Sequence, residues 1–247
     1  MRTVTAVGHR GDPYRVRENT LPSVRSALAR GADAVEVDVR VTADGVPVLL
    51  HDSTLKRLWG HDLRLADLPL ARVRELTGGG VPTLADALTA LEGAGRPEAR
   101  LMIDLPGAGR ESVRTVVGTV HDHRAAERVY YCAGPVTMSR VRAADPAAEI
   151  ALTWTSLAPP RRPLLDAVRP RTLNYRFGLI SPELTERVHR DGLLVSVWTV
   201  DTRRWMRRLV AAGVDSITSN RIDVLHSVLA QTRTASGAPD SPAPASA

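Results

Sequence analysis

The chain reads as α/β, a single parallel (β/α)8 barrel of the TIM type with a small insertion after its second strand. Three observations predict this. Eight short apolar or β-branched runs alternate with segments of helical spacing, the rhythm of βα units on a parallel sheet. The length of 247 residues matches the roughly 250 that such a barrel needs. Polar residues fall toward the C-terminal ends of several runs, where barrels of this kind carry their chemistry. A doubly wound open sheet is the runner-up on the same alternation.

Thr3 to Gly8 is the first strand, ending at His9-Arg10 between Gly8 and Gly11. After the breaker-rich GDPYRVRENT, the residues Leu21, Val24, Ala27 and Leu28 recur at helical spacing, with Thr20 as N-cap and Pro22 in the first turn. Gly31 closes this helix and AVEVDVRV follows as the second strand. Val35, Val37 and Val39 alternate there with Glu36 and Asp38, and side chains two apart on a strand share a face. Both carboxylates therefore point one way and the valines the other, which suits a strand whose polar face lines a functional pocket. Beyond the turn Ala43-Asp44-Gly45, an extended run from Val46 to Leu50 ends in His51.

Residues 53 to about 81 break the rhythm with turns, short apolar spacings and three successive glycines, and read as an insertion before the helix of Thr83 to Leu91. The alternation then resumes. LMIDL is the third strand and Arg110 to His121 its helix; Val129 to Ala133 is the fourth, followed by a helix at Val136 to Ala144. Glu149 to Thr153, Thr172 to Tyr175, Leu193 to Val200 and Asp215 to Ser219 are the remaining strands, with helices near Leu164 to Val168, Pro182 to Arg190, Arg203 to Ala212 and Arg221 to Gln231. The barrel domain thus spans residues 1–231. The segment 232–247, TRTASGAPDSPAPASA, is small, Pro-rich and aperiodic, and is expected to be a disordered tail.

Composition narrows the function classes. The net charge of +6 suits a phosphate-bearing or acidic-surface partner only weakly, because Lys56 is the only lysine and the charge is almost all arginine, as a compositional bias across the surface gives; with 4% aromatic residues there are few stacking platforms for nucleic acid. Cys132 is the only cysteine, so no intrachain disulfide or thiolate zinc cluster can form. In VYYCA it reads as a small core residue. No run approaches the roughly 18 apolar residues of a membrane span, and the N-terminus lacks the apolar region of a signal peptide. The expectation is a soluble, cytoplasmic protein with no stable membrane insertion.

The chemistry follows from where the polar residues fall. His9 ends the first strand, Glu36 and Asp38 the second, Asp104 lies at the end of the third with the same parity, and Trp198 near the end of the seventh. Glu36, Asp38 and Asp104 make a three-carboxylate site for a hard divalent cation, Mg²⁺ or Ca²⁺. His9 and His51 flank it, and imidazoles titrate near neutrality, so one can serve as base and the other as acid. Arg10 can hold an anionic oxygen. Trp198 either fills the barrel or touches substrate. The indicated reaction is phosphodiester cleavage. His61, His121, His123, His189 and His226 fall in helical or loop contexts, apart from the carboxylate cluster, and are expected at the surface.

HRGDPYRVRENT, GADAVEVDVRVTADGVPVLLHDSTLKR, GLLVSVWTVD and GVDSITSNRID resemble the successive motifs of glycerophosphodiester phosphodiesterases, over His9 to about Leu225. The resemblance implies a barrel, a divalent cation, and hydrolysis of glycerophosphodiesters to glycerol 3-phosphate and an alcohol. It also implies His9 and His51 as the acid/base pair, Arg10 as a phosphate contact, and Glu36 and Asp38 as metal ligands. Two positions depart from that pattern. Where the family usually has Glu and then Lys two residues later, this chain has Asp104 and Pro106. Asp remains an oxygen ligand, but a phosphate-contacting cation is missing. Two other readings stay open on this ground: a phospholipase-D-like enzyme acting on intact lipid phosphodiesters, and a catalytically weak barrel retained for binding.

Overall fold

The structure, a computed structural model, describes residues 3–236. Eight parallel strands close into a barrel: β1 (Thr5–Gly8), β2 (Ala34–Val41), β4 (Arg100–Asp104), β5 (Val129–Ala133), β6 (Ile150–Trp154), β7 (Thr172–Arg176), β8 (Leu194–Trp198) and β9 (Ser216–Ser219). Each pairs with the next in this order, and β9 returns to β1. β3 (Pro47–Leu49) is a ninth strand outside the barrel, antiparallel to the end of β2 with Val39 opposite Leu49 and Val41 opposite Pro47.

The outer layer consists of α1 (Leu21–Ala29), α4 (Leu84–Glu92), α5 (Arg110–Asp122), α6 (Pro135–Ala144), α7 (Arg162–Val168), α8 (Pro182–Arg190), α9 (Arg203–Ala211) and α10 (Ile222–Ser236). α1 starts where Thr20 accepts from the Ser23 amide. α4 starts at a reciprocal box in which Thr83 accepts from the Asp86 amide and Asp86 from that of Thr83. α10 runs five residues beyond the Gln231 expected from the sequence, because Thr232 to Ser236 continue the helix. The rest of the expected tail, residues 237–247, lies outside the described residues.

Alternation sorts the side chains into two regions. The outward valines of β2 join Leu101, Ile103, Leu152, Leu173, Val195, Val197 and the apolar faces of the helices in one continuous core between barrel and helices. Inside the barrel, Val7, Ala34, Met102, Cys132 and Ala151 form a small separate cluster, leaving room toward the C-terminal ends of the strands. The insertion has a small core of its own, joined by Val48 of β3 and Leu50 just after it. It contains α2 (Lys56–Trp59), a 3-10 turn at Leu65–Asp67 and α3 (Leu70–Thr77). Val48, Leu50, Leu55, Leu65, Val73 and Val81 form its buried core, distinct from the barrel's. Among the described residues no helix is long and apolar enough to cross a membrane.

Candidate active site

The register between β2 and β4 sets the centre of the site. Glu36 pairs with Met102 and Asp38 with Asp104, so the carboxylates of residues 36, 38 and 104 project from one face of adjacent strands. One oxygen from each lies within 4.8 Å of the others. Desolvation raises the Glu36 pKa well above the usual carboxylate range, and repulsion from Asp38 and Asp104 raises it further. Desolvation, followed by repulsion from Asp38, pushes Asp104 up to about 7. Three carboxylates converging in this way can hold a hard divalent cation, whose charge would offset their mutual repulsion.

His9 follows β1, and the Gly8–Ser219 pairing with β9 sets it beside Asn220. The Asn220 amide orientation is fixed by its neighbours: its Nδ2 donates to Asp201 Oδ2 at 2.8 Å, and a carboxylate only accepts. Asn220 Oδ1 therefore faces His9 Nδ1 at 2.7 Å and accepts its proton. Nε2 is left with its lone pair, 3.9 Å from Glu36 Oε2. Burial is the largest influence on His9 and lowers its pKa, outweighing the hydrogen bond to Asn220; the imidazole is held toward its neutral form. Asn220 and Asp201 escaped the sequence reading, although Asn220 stands one residue past its strand as His9 does past β1.

Arg10 has a left-handed backbone, φ 55°. Its amide donates to Glu36 Oε2 at 2.7 Å, its Nη1 to Glu18 at 2.9 Å, and its Nε lies 3.1 Å from Asp38 Oδ2. Asn19, also left-handed, clasps Asp38: its Nδ2 donates to Oδ2 at 2.8 Å and its Oδ1 accepts from the Asp38 amide at 3.1 Å. Glu18 and Asn19 thus hold Arg10 and Asp38. His51 is set over the mouth by β3: Leu50 donates its amide to the Asp38 carbonyl, and Arg40 Nε donates to the His51 carbonyl at 2.8 Å. The His51 ring donates from Nδ1 to Asp52 Oδ1 at 2.7 Å.

His9, Arg10, Glu36, Asp38, His51, Asp104 and Trp198 line one cavity of about 280 Å³ at the C-terminal ends of the strands. All seven residues singled out in the sequence are brought together there. Pro106 lies on its rim, where the family pattern has lysine. The opposite wall is neutral and polar: Thr153, Asn174 and Thr218 with Cys132, whose Sγ accepts from Asn174 Nδ2 at 3.2 Å. Burial pushes the Cys132 thiol up, in keeping with a core role. The remaining histidines need a correction. His121 Nε2 lies 3.0 Å from Asp145 and His189 Nε2 2.7 Å from Asp215. Both have carboxylate partners, Asp145 at the C-terminal cap of α6 and Asp215 just before β9, rather than neighbours in sequence.

This geometry agrees with comparison to known proteins. Residues 9–224 match the model of the glycerophosphoryl diester phosphodiesterase family. The chain is 27% identical over 244 residues to the glycerophosphodiester phosphodiesterase of Caldanaerobacter subterraneus, covering 91% of this chain and 97% of that one. It is 30% identical over 257 residues to the probable glycerophosphodiester phosphodiesterase 2 of Mycobacterium tuberculosis, covering 91% and 90%. The fold is shared with an Oleispira antarctica phosphodiesterase solved in complex with the product sn-glycerol-3-phosphate (TM-score 0.84, 21% identity, 92% of this chain and 96% of that one). It is shared also with a Parabacteroides distasonis glycerophosphodiester phosphodiesterase (TM-score 0.80, 22% identity, 94% and 99%). The chain belongs to the glycerophosphoryl diester phosphodiesterase family and is a phosphoric diester hydrolase.

Proposed function

We propose that the barrel domain, residues 1–231, hydrolyses glycerophosphodiesters to glycerol 3-phosphate and an alcohol. The observation that carries this reading is the meeting of three carboxylates and two oriented imidazoles in one cavity. The product-bound relative from Oleispira antarctica supports the same substrate class. Glu36, Asp38 and Asp104 hold a divalent cation, Mg²⁺ or Ca²⁺, which when bound supplies charge neutralisation at the phosphoryl oxygens.

His9 and His51 each present Nε2 with its lone pair while Nδ1–H is engaged, by Asn220 in one case and Asp52 in the other. One accepts the proton of the attacking oxygen; the other, protonated, gives a proton to the oxygen of the departing alcohol. Arg10, anchored through its amide and Nε, orients a non-bridging phosphoryl oxygen toward the carboxylate side of the cavity. Trp198, whose Nε1 has no hydrogen-bond partner among the described residues, contacts the substrate from the β8 side. The test is release of glycerol 3-phosphate from glycerophosphocholine or glycerophosphoethanolamine, after EDTA treatment and after adding back Mg²⁺ or Ca²⁺. Metal-restored release is expected. Absence of release with either ion defeats the reading in favour of a binding barrel, and preference for intact phospholipid micelles defeats it in favour of a phospholipase-D-like enzyme.

A further inference from the structure

The insertion reaches the site through one side chain. Arg57, in α2, donates from Nε to Asp52 Oδ2 at 2.6 Å, from Nη2 to Glu18 Oε1 at 2.6 Å and from Nη1 to Glu18 Oε2 at 3.1 Å. Beyond Asp52 stands His51, and beyond Glu18 stands Arg10, 2.9 Å away, which itself reaches Asp38 and Glu36. A continuous alternation of imidazole, carboxylate, guanidinium, carboxylate and guanidinium therefore links the imidazole over the mouth to the carboxylate pair of β2. Arg57 is its midpoint, and the only member supplied by the insertion.

The insertion holds this arginine firmly. Leu55 is fully buried in the insertion's own core, and Leu58 and Trp59 pack against it. Trp59 also carries the Arg17 guanidinium 4.3 Å over its ring, and a side chain at Gly80 would collide with that ring. Arg17 precedes Glu18, so two side-chain contacts, Arg17 on Trp59 and Arg57 on Glu18, join the same two segments. Ion pairs as open as Arg57's, whose side chain is 46% exposed, add little to stability. The ordering they impose is a different matter. The side chains of His51 and Asp52 are 41% and 26% exposed, and without a second anchor both sample several rotamers.

We propose that Arg57 is a positioning residue of the reaction: by gripping Asp52 and Glu18 together it fixes the His51 ring and the Arg10 guanidinium in one arrangement. The proposal rests on His51 and Arg10 acting as stated above. A guanidinium suits the task because its planar fork meets one carboxylate with two donors and another with the third, which an ammonium cannot do. Burial alone would raise both carboxylates, yet the hydrogen bonds and charge of the arginines hold Glu18 and Asp52 below their ordinary range, so both remain ionised partners at neutral pH.

The experiment compares wild type, Arg57→Gln and Arg57→Lys in melting temperature, in steady-state kinetics on glycerophosphocholine, and in long-range ¹H–¹⁵N spectra of the His51 ring in metal-free protein. Arg57→Gln is expected to melt within a few degrees of wild type and to keep KM within about threefold, while kcat falls by about 10- to 100-fold through misplacement of the working groups. Arg57→Lys, able to serve one carboxylate at a time, is expected to recover only part of that loss. In the spectra, the single Nδ1–H tautomer of wild type gives way to a mixture in Arg57→Gln. A kcat within twofold of wild type, a loss carried by KM alone, or an unchanged tautomer in both variants overturns the proposal. If Arg57→Gln does not fold, Arg57→Lys decides by the same three readings. Wild type that fails to turn over any glycerophosphodiester defeats the functional reading instead, and the imidazole spectra still decide the place of Arg57.

Discussion

The carboxylate triad makes metal-free stability depend on pH in a direction opposite to that of most paired acids. Asp104 titrates at about 7 in the folded protein against 3.8 for a free aspartate. Between these values the folded chain keeps a proton that the unfolded chain has released, so the folded state binds more protons and stability falls as pH rises. The loss begins near pH 4 and is complete by about pH 7. At about 1.4 kcal/mol per pH unit the gap corresponds to roughly 4 kcal/mol, and since Asp104 is not wholly buried we expect about 2–4 kcal/mol. Glu36, also raised, adds in the same direction. Urea unfolding in EDTA at half-unit steps from pH 5 to 8 measures the slope. Asp104→Asn removes the Asp104 share, so at pH 8 the metal-free variant is expected to be more stable than wild type. Saturating cation is expected to close most of that gap, stabilising wild type by about 2.7 kcal/mol at a hundredfold excess over Kd, with little effect on the variant. A flat profile in metal-free wild type, or a variant with wild-type slope and wild-type cation response, would refute the reasoning.

Other outcomes follow from the same site. His9→Ala and His51→Ala are each expected to lower kcat by about 10² to 10⁴ while the protein stays folded; near-normal turnover in either removes that histidine from the mechanism. Asn220→Ala frees the His9 ring and is expected to cost about tenfold or more in kcat/KM, read beside a control melting curve. Pro106→Lys places a cation on the rim next to Asp104 and is expected to raise kcat/KM on glycerophosphodiesters, with Arg10→Ala lowering it. If Pro106→Lys is inert and Arg10→Ala is near neutral, the phosphate is neutralised by other groups.

The parts of this site legible in the sequence were those set by local periodicity. Valines at 35, 37 and 39 dictated the direction of Glu36 and Asp38 because strand alternation is decided within a few residues, and the same parity placed Asp104. The eight barrel strands were legible for the same reason. That β2 and β4 would set Asp38 directly opposite Asp104 required the sheet register, which no local pattern states. The supports of the site lie further still from local reading. Asn220 is 211 positions from His9, and Glu18 is 39 from Arg57. The carboxylate partners of His121 and His189 come from 24 and 26 residues away, where the packing of successive βα units brings them near. The insertion was visible as a break in rhythm, but its separate core was not, since its apolar residues are spaced for neither a strand nor a long helix.

That separate core has a thermal consequence. A hydrophobic cluster of six buried residues, sharing little with the larger core of the barrel, gives residues 53–81 the makings of a cooperative unit that opens at lower free energy than the whole. Leu50 belongs to it, and His51 and Arg57 sit at its edge. Warming is then expected to release the imidazole from its place while the eight strands remain paired, so heat inactivation runs ahead of melting. Amide exchange in the segment should be faster than in β2 and β4, and catalysis should return on cooling without refolding of the barrel.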